Sequence, residues 1–114
     1  MQHALVAMFE MFHKGKISVE NIVEKMAHNP AKIFKIDKRG FIKVGHYADL
    51  VLVNPALPWS VNKDNILSKC GWSPFQGFTF KSRVTHTIVN GQLVYSNFKV
   101  KDVYCGQRLT FNRE

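Results

Sequence analysis

The feature that most constrains the fold of this chain is a change of residue pattern at Gly40. Before Gly40, apolar residues recur at helical spacing, and after it short runs rich in Val, Ile, Thr and Phe are separated by turn residues. A chain of 114 residues has room for one small core, whereas a complete barrel of eight strands and eight helices needs about 250 residues. The pattern therefore predicts an α+β chain, helical over residues 1–39 and built from strands over residues 40–114.

Residues 3–12 form the first predicted helix, because Ala, Leu and Met are frequent in this segment. The segment is apolar on nearly every side, which is typical of a helix that is buried all round. No Ser, Thr, Asp or Asn precedes it to act as an N-cap. We therefore expect the helix to continue a larger protein that covers it. The alternative is that the helix folds back on the strands as a substitute core.

Cap and turn residues divide the rest of the helical half. Gly15 is expected to end the first helix, and Ser18 to cap a second one. Asn29 is expected to cap a short third helix that has Pro30 at its first position. The apolar stripe predicted for the second helix consists of Ile22, Val23 and Met26.

The clearest feature of the second half is a β-hairpin. Asn90 and Gly91 are the preferred residue pair of a type I′ turn, and they join residues 84–89 to residues 92–95. Residues 48–53 are a near-continuous apolar run and predict another strand. The remaining strand candidates are residues 41–44, residues 78–80, which would pair with the hairpin, and residues 103–104 and 109–111.

The chain is strongly basic. It has 16 Lys and Arg against 8 Asp and Glu, a formal net charge of +8, which favours attraction to nucleic acids or acidic membranes. The charge is spread along the chain, and this predicts a solvated basic surface without a specific nucleic-acid or membrane partner. The densest basic stretch contains Lys32, Lys35, Lys38, Arg39 and Lys43, with Asp37 among them.

A free-standing small basic RNA-binding module is the alternative interpretation. The segment from Arg39 to Val44 partly matches a signature strand of RNA-recognition motifs. However, Lys43 and His46 stand where that motif has the aromatic residues that stack on bases. The order of strands and helices typical of that motif is also absent from the predicted pattern.

Residue types that carry out catalysis are present but are not grouped. The histidines show neither the His-x-His nor the His-Glu-x-x-His spacing of metal sites. Asp49 lies in an apolar strand, so we expect it to face outward or to cap neighbouring backbone groups. Cys70 and Cys105 lack a Cys-x-x-Cys spacing, which favours free thiols in a cytosolic protein over a disulfide. No catalytic, substrate-binding or metal-binding residue is therefore assigned. The histidines stand at positions 3, 13, 28, 46 and 86.

Five stretches of the chain together resemble the C-terminal end of the dihydroorotase family, within the amidohydrolase superfamily. The Asn-Pro-Ala, Ala-Asp-Leu-Val-Leu and Thr-Ile-Val-x-Gly elements recur across that superfamily. The Ser-Pro-Phe-x-Gly element that follows Ser-Lys is narrower and favours the dihydroorotase and hydantoinase-like branch. The matching stretches are residues 2–9, 29–34, 40–53, 68–77 and 84–91.

This resemblance implies a place in a larger architecture. Residues 1–39 would be the helices at the end of a TIM-barrel catalytic domain, and residues 40–114 the C-terminal part of a small β-sandwich ending in the hairpin. The implied function is zinc-dependent, reversible cyclisation of N-carbamoyl-L-aspartate to dihydroorotate in pyrimidine biosynthesis. In such enzymes a zinc pair polarises the amide carbonyl and supplies hydroxide.

The family's zinc ligands match no position of this sequence. They are a His-x-His pair, a carbamylated Lys, two further His and an Asp. We therefore expect zinc in the parent enzyme, no cofactor in this fragment, and no activity of the fragment alone. The expected partners are the missing catalytic barrel and a second copy of the chain, bound through the apolar first helix. The expected location is cytoplasmic.

Overall fold

A computed structural model describes residues 2–113 of the chain, and it contains both helices and antiparallel strands. The mixture of helix and sheet predicted from the sequence is thereby confirmed. The helices are α1 (Ala4–His13), α2 (Val19–Val23) and α3 (Asn29–Ile33), with a π-helical turn at Glu24–His28 and a 3₁₀ turn at Lys63–Asn65. The strands are β1 (Leu50–Asn54), β2 (Trp59–Ser60), β3 (Thr79–Phe80), β4 (Arg83–Val89), β5 (Gln92–Ser96) and β6 (Lys99–Val100).

Two of the predicted helix boundaries are confirmed. Gly15 follows α1 with a φ of +70°, and its N–H donates a hydrogen bond to the Phe12 carbonyl at 2.9 Å. Glycine suits this left-handed position because it has no Cβ. The Ser18 hydroxyl accepts a hydrogen bond from the Asn21 N–H at 3.2 Å and caps α2. These boundaries depend on neighbouring residues alone, and the sequence was sufficient to place them.

The predicted short third helix is present as α3, but the prediction that Asn29 caps it was wrong, because Asn29 is already its first residue. The backbone is helical from α2 through the π-helical turn into α3, and His28 and Asn29 both have right-handed helical angles. Pro30 brings no N–H to the helix, so it is usually tolerated only in a first turn. Here the wider π-helical turn directly before it accommodates the ring inside one continuous helical run.

The predicted apolar stripe of α2 is only partly buried. Ile22 is fully buried, whereas Val23 and Met26 are exposed. A π-helical turn contains more residues than an α-helical turn, so it shifts the side chains that follow it around the helix axis. We attribute the outward position of Met26 to this shift.

Four strands form an antiparallel sheet in the order β1-β4-β5-β6. The turn between β4 and β5 has φ values of +49° at Asn90 and +79° at Gly91, and the predicted type I′ hairpin is confirmed. The predicted apolar strand is also present as β1, and it lies at the edge of the sheet beside β4. Val51 and Leu52 of this strand are nevertheless exposed, so the sheet does not bury β1 on both faces.

Four strand predictions were wrong in whole or in part. Residues 78–80 contain the strand β3, but it pairs with β2 in a separate two-stranded sheet and not with the hairpin. Residues 41–44 form no strand, and the side chains of Ile42 and Val44 are almost completely exposed. The last strand is β6. The predicted strand at residues 103–104 is irregular, and residues 109–111 contribute only one isolated bridge, from Phe111 to Ile36. All of these segments have strand-like composition, but composition does not specify whether a segment pairs or with which strand.

The core lies between α1 and the two-stranded sheet. Val6, Val61 and Phe80 are almost fully buried in one cluster, and Trp59 and Phe75 pack against it. Thus one face of α1 folds back on the strands, as the second interpretation of this helix predicted. Its other side is less covered, and Met11 is exposed.

Gly40 marks a close contact between the helical half and the chain that follows. It has a φ of +83°, and a Cβ at this position would overlap the side chain of Ala31 and lie 2.9 Å from the Ala27 carbonyl oxygen. Only glycine allows this approach. The domain boundary predicted between residues 39 and 40 remains a prediction.

Of the helices described in residues 2–113, none combines the length and hydropathy needed to cross a membrane.

Candidate functional site

Three polar side chains lie on the face of α1 that meets the strands, and we call His3, Glu10 and His13 the polar row. Their spacing of seven and three residues keeps them on one side of a helix. The Glu10 carboxylate accepts a hydrogen bond from the Lys81 N–H at 2.7 Å, and His13 Nε2 lies 2.8 Å from the Ser82 hydroxyl. These contacts hold α1 against the corner that joins β3 to β4.

His3 is the most enclosed member of the polar row. Its Nδ1 lies 3.0 Å from the Ser73 hydroxyl, and the rings of Trp59, Phe75 and Phe80 surround it at centroid distances of 5.8, 5.8 and 5.9 Å. Burial lowers the pKa of His3 below its ordinary value of 6.5, because a charged imidazole would lose its hydration. Within residues 2–113 its Nε2 is buried without a hydrogen-bond partner. The surroundings favour a neutral histidine in a structural contact.

Ser82 connects the polar row to the sheet corner. It is fully buried, its hydroxyl donates to the Pro55 carbonyl at 3.2 Å, and its own carbonyl accepts from the Trp59 indole N–H at 2.9 Å. This network was not predicted from the sequence. The available signal was the spacing of His3, Glu10 and His13 along one face of an otherwise apolar helix.

Asp49 caps a neighbouring backbone group, which is one of the two alternatives predicted from the sequence. Its Oδ1 accepts a hydrogen bond from the Asn90 N–H at 2.8 Å, and its other oxygen pairs with the Arg39 guanidinium. Arg39 also lies over the Tyr47 ring, with its guanidinium carbon 4.2 Å from the ring centroid. The carboxylate therefore fixes the entry to β1 beside the hairpin turn, and its arrangement is that of a structural residue.

The remaining histidines have separate surroundings. His28 stacks on the Phe41 ring at a centroid distance of 4.2 Å and an angle of 7°, and His86 Nδ1 lies 2.9 Å from the Thr85 hydroxyl. In the described part of the chain, no three His, Cys, Asp or Glu side chains are grouped so that they could hold a metal ion. The described residues therefore do not fit a zinc pair, which needs several converging ligands.

Both cysteines are free thiols, which confirms the prediction from their spacing. Cys70 is exposed and Cys105 is partly buried. The hydrogen bond between Cys70 and the Ser68 hydroxyl, at 3.2 Å, lowers the pKa of the Cys70 thiol, and the backbone of Trp72 acts in the same direction.

A second candidate region is an open depression beside the end of α3, with a volume of about 490 Å³. We call it the basic depression. It brings together most of the densest basic stretch recognised in the sequence. His46, which had no assigned role, also contributes to it. The lining residues are Ala31, Lys32, Lys35, Ile36, Asp37, Lys38, Arg39, Phe41, His46 and Asn112.

Comparison with known proteins shows the family of this chain. The sequence model described as the amidohydrolase family matches residues 1–94, well over half of the chain. The chain belongs to the amidohydrolase family. The predicted resemblance to dihydroorotases is confirmed for this amidohydrolase chain: the dihydroorotase of Pyrococcus furiosus is 36% identical to it over 102 residues. That match covers 90% of this chain and 24% of the Pyrococcus protein.

Solved structures give the same result for the fold of this amidohydrolase chain. The L-hydantoinase (dihydropyrimidinase) from Arthrobacter aurescens superposes with a TM-score of 0.73 and 31% identity, over 79% of this chain and 20% of that protein. A D-hydantoinase superposes with a TM-score of 0.77 and 24% identity, over 84% of this chain and 21% of that protein. The chain thus spans between a fifth and a quarter of the length of these relatives.

Proposed function

We propose that the whole protein to which these residues correspond is a zinc-dependent cyclic amidohydrolase of the dihydroorotase type. It would interconvert N-carbamoyl-L-aspartate and dihydroorotate in pyrimidine biosynthesis. The observation that carries this proposal is the 36% identity to a dihydroorotase across 90% of the chain. The likeness to hydantoinases supports the broader class of cyclic amide hydrolysis.

Within that enzyme, the role proposed for these residues is structural. Residues 1–39 would complete the catalytic barrel, and residues 40–114 would form the C-terminal part of the β-sandwich. The polar row supports this role, because its hydrogen bonds fix α1 to the strand corner at Lys81 and Ser82. The zinc would be held by residues outside these 114, since the histidines described here lie apart and have other contacts.

An activity assay on two proteins tests this proposal. The first is the 114-residue chain, and the second is the protein encoded by the complete reading frame that contains it. Each is incubated with zinc and dihydroorotate, and N-carbamoyl-aspartate is separated by chromatography. We expect turnover by the longer protein only. Turnover by the 114-residue chain, or hydrolysis of hydantoin but not dihydroorotate by the longer protein, would contradict the proposal.

We also propose that the less covered side of α1 is a contact surface. In the whole protein it would meet the catalytic barrel, and in the isolated chain it would meet a second copy. Met11 is exposed on this helix, and Leu5, Met8 and Phe12 are only partly buried. Light scattering of the chain should show dimers or larger species that Met11→Lys reduces, with Val100→Lys, also at an exposed apolar position, as control. A monodisperse monomer at high concentration would contradict self-association.

We further propose that the protein is cytoplasmic and that it has no specific nucleic-acid or membrane partner. The two free thiols support a reducing compartment. One sequence signal for the RNA-binding alternative was the partial signature match at residues 39–44, and that segment contains no strand. Its partial match to an RNA-recognition signature therefore has no structural counterpart.

A further inference from the structure

The basic depression has an excess of positive charge. Its rim carries Lys32, Lys35 and Lys38, and within residues 2–113 none of these three ammonium groups takes part in an ion pair. The one carboxylate of the lining, that of Asp37, accepts hydrogen bonds from two side chains near the C-terminus, each at 3.4 Å. Three lysines thus share this concave surface with a single carboxylate, so the lining keeps a net positive charge.

The backbone that presents two of these lysines is held in a disfavoured conformation. Lys35 and Lys38 both have a φ of +53°, in the left-handed region that residues with a Cβ rarely adopt. The Asn112 N–H donates to the Lys35 carbonyl at 2.9 Å, and the Tyr47 N–H donates to the Lys38 carbonyl at 3.0 Å. The turn is thus fixed at both ends, and binding of a ligand would not have to order it first.

The aromatic residue of the depression is already in contact with other side chains. The Phe41 ring stacks on His28 at 4.2 Å, and the Lys32 Nζ lies 5.7 Å from its centroid. Proteins that bind single-stranded nucleic acid combine positive charge with aromatic rings on which bases stack. Because Phe41 is engaged in this way, the depression favours a compact anion over a nucleic-acid strand.

We propose that the basic depression binds a diphosphate group, either inorganic or as the ester of a small metabolite. Lysine binds phosphate oxygens as a point charge, and a diphosphate carries enough charge to balance several ammonium groups. The volume of 490 Å³ is within the range of about 300–1,000 Å³ that small-molecule sites occupy. The proposal does not depend on the proposed enzymatic function, because it uses residues to which no catalytic or zinc-binding role is given.

Calorimetric titration of the 114-residue chain with pyrophosphate at low ionic strength tests the proposal. We expect saturable binding of one pyrophosphate per chain. The double variant Lys35→Gln/Lys38→Gln should weaken it about tenfold per lysine, since each removes a hydrogen bond to a charged group. The control is Lys99→Gln/Lys101→Gln, which removes two exposed lysines that do not line the depression and should leave the affinity within about twofold because such charges are screened.

Amide chemical shifts from NMR distinguish a local site from general attraction and also report that each variant is folded. Shifts should change mainly over residues 32–46 and at Asn112. Parallel titrations with ADP and with phosphate identify the form bound, and preference for either diphosphate over phosphate supports the proposal. Equal weakening by the two double variants, absence of saturation, or tighter binding of a single-stranded oligonucleotide than of pyrophosphate would overturn it.

Discussion

Helix α1 and the four-stranded sheet are held in the molecule by different kinds of contact. α1 buries Val6 and Phe9 against its neighbours, and the polar row adds hydrogen bonds at both ends of the helix. The four-stranded sheet has backbone pairing between all its neighbouring strands. Among the residues of those four strands, all of which are described, none is fully buried.

This difference determines how each region should respond to substitution. A residue enclosed by the core loses its packing when it is shortened, and a cavity remains. A residue on the half-exposed sheet can be replaced with less effect as long as the backbone keeps its pairing and its turn. The packing of α1 should therefore be sensitive to side-chain volume, and the sheet should be sensitive to backbone conformation.

The largest expected effect is at the centre of the core. Phe80 of β3 is fully buried in the cluster with Val6 and Val61, and Phe80→Ala should lower the free energy of unfolding by about 3–5 kcal/mol. Urea denaturation followed by circular dichroism measures the change. The matched control is Leu52→Ala, at a half-exposed position of the sheet, where we expect about 1 kcal/mol or less. Equal losses at the two positions would remove the contrast between the regions.

The next effect concerns the backbone of the hairpin. Gly91 has a φ of +79° and open space around it, so Gly91→Val creates conformational strain without a steric clash of the new Cβ. We expect a loss of about 1–3 kcal/mol in the free energy of unfolding. Gly106→Val is the control, because Gly106 also has open space but no left-handed φ. An unchanged midpoint for Gly91→Val would show that the turn does not determine the sheet's stability.

A smaller effect is expected in the polar row. Glu10→Ala removes the acceptor of the Lys81 N–H and should cost about 1 kcal/mol of stability. Glu10→Gln retains an acceptor oxygen at the same place and should restore most of the loss. Thermal denaturation of both variants beside the unaltered chain measures the difference. If alanine and glutamine have the same effect, the hydrogen bond does not contribute and the carboxylate charge or its packing is responsible.

The smallest expected effect is a pH dependence from His3. Because burial lowers its pKa, the unfolded chain takes up a proton more readily than the folded chain. The stability that neutral His3 contributes is therefore fully present above its ordinary pKa of 6.5. It is lost as the pH falls from there to the lowered pKa of the folded state. Unfolding midpoints across pH 5–8 should show this decrease, and His3→Gln should remove it. The same decrease in the variant would assign the effect to another group.

Features that depend on a few neighbouring residues could be predicted from the sequence. The end of α1 at Gly15, the cap at Ser18 and the turn at Asn90 and Gly91 all follow from local backbone preferences. The prediction failed where composition suggested a strand that the structure does not form, as at residues 41–44. It also failed at Asn29, because a preceding π-helical turn allows the helix to continue through Pro30.

The candidate sites could be predicted only in part. The densest basic stretch was recognised, but its concave shape depends on contacts of residues 35–37 with residues 110–112. The polar row was not recognised, because each of its three members looked like an isolated polar residue in an apolar helix. Their partners lie about seventy positions away in the chain.

The sequence by itself determined the mixture of helix and strand, the end of the first helix, the start of the second, the hairpin turn and membership of the amidohydrolase family. These features depend on dihedral preferences, on hydrogen bonds between close neighbours and on short motifs, so a stretch of a few residues contains the information. Only the tertiary structure decided that β3 pairs with β2, that His3 meets Ser73, and that one face of α1 is buried while the four-stranded sheet remains half-exposed. The physical reason is that pairing and burial depend on contacts between segments that are distant in the sequence. The conformational preference of a short segment does not specify which of those contacts form.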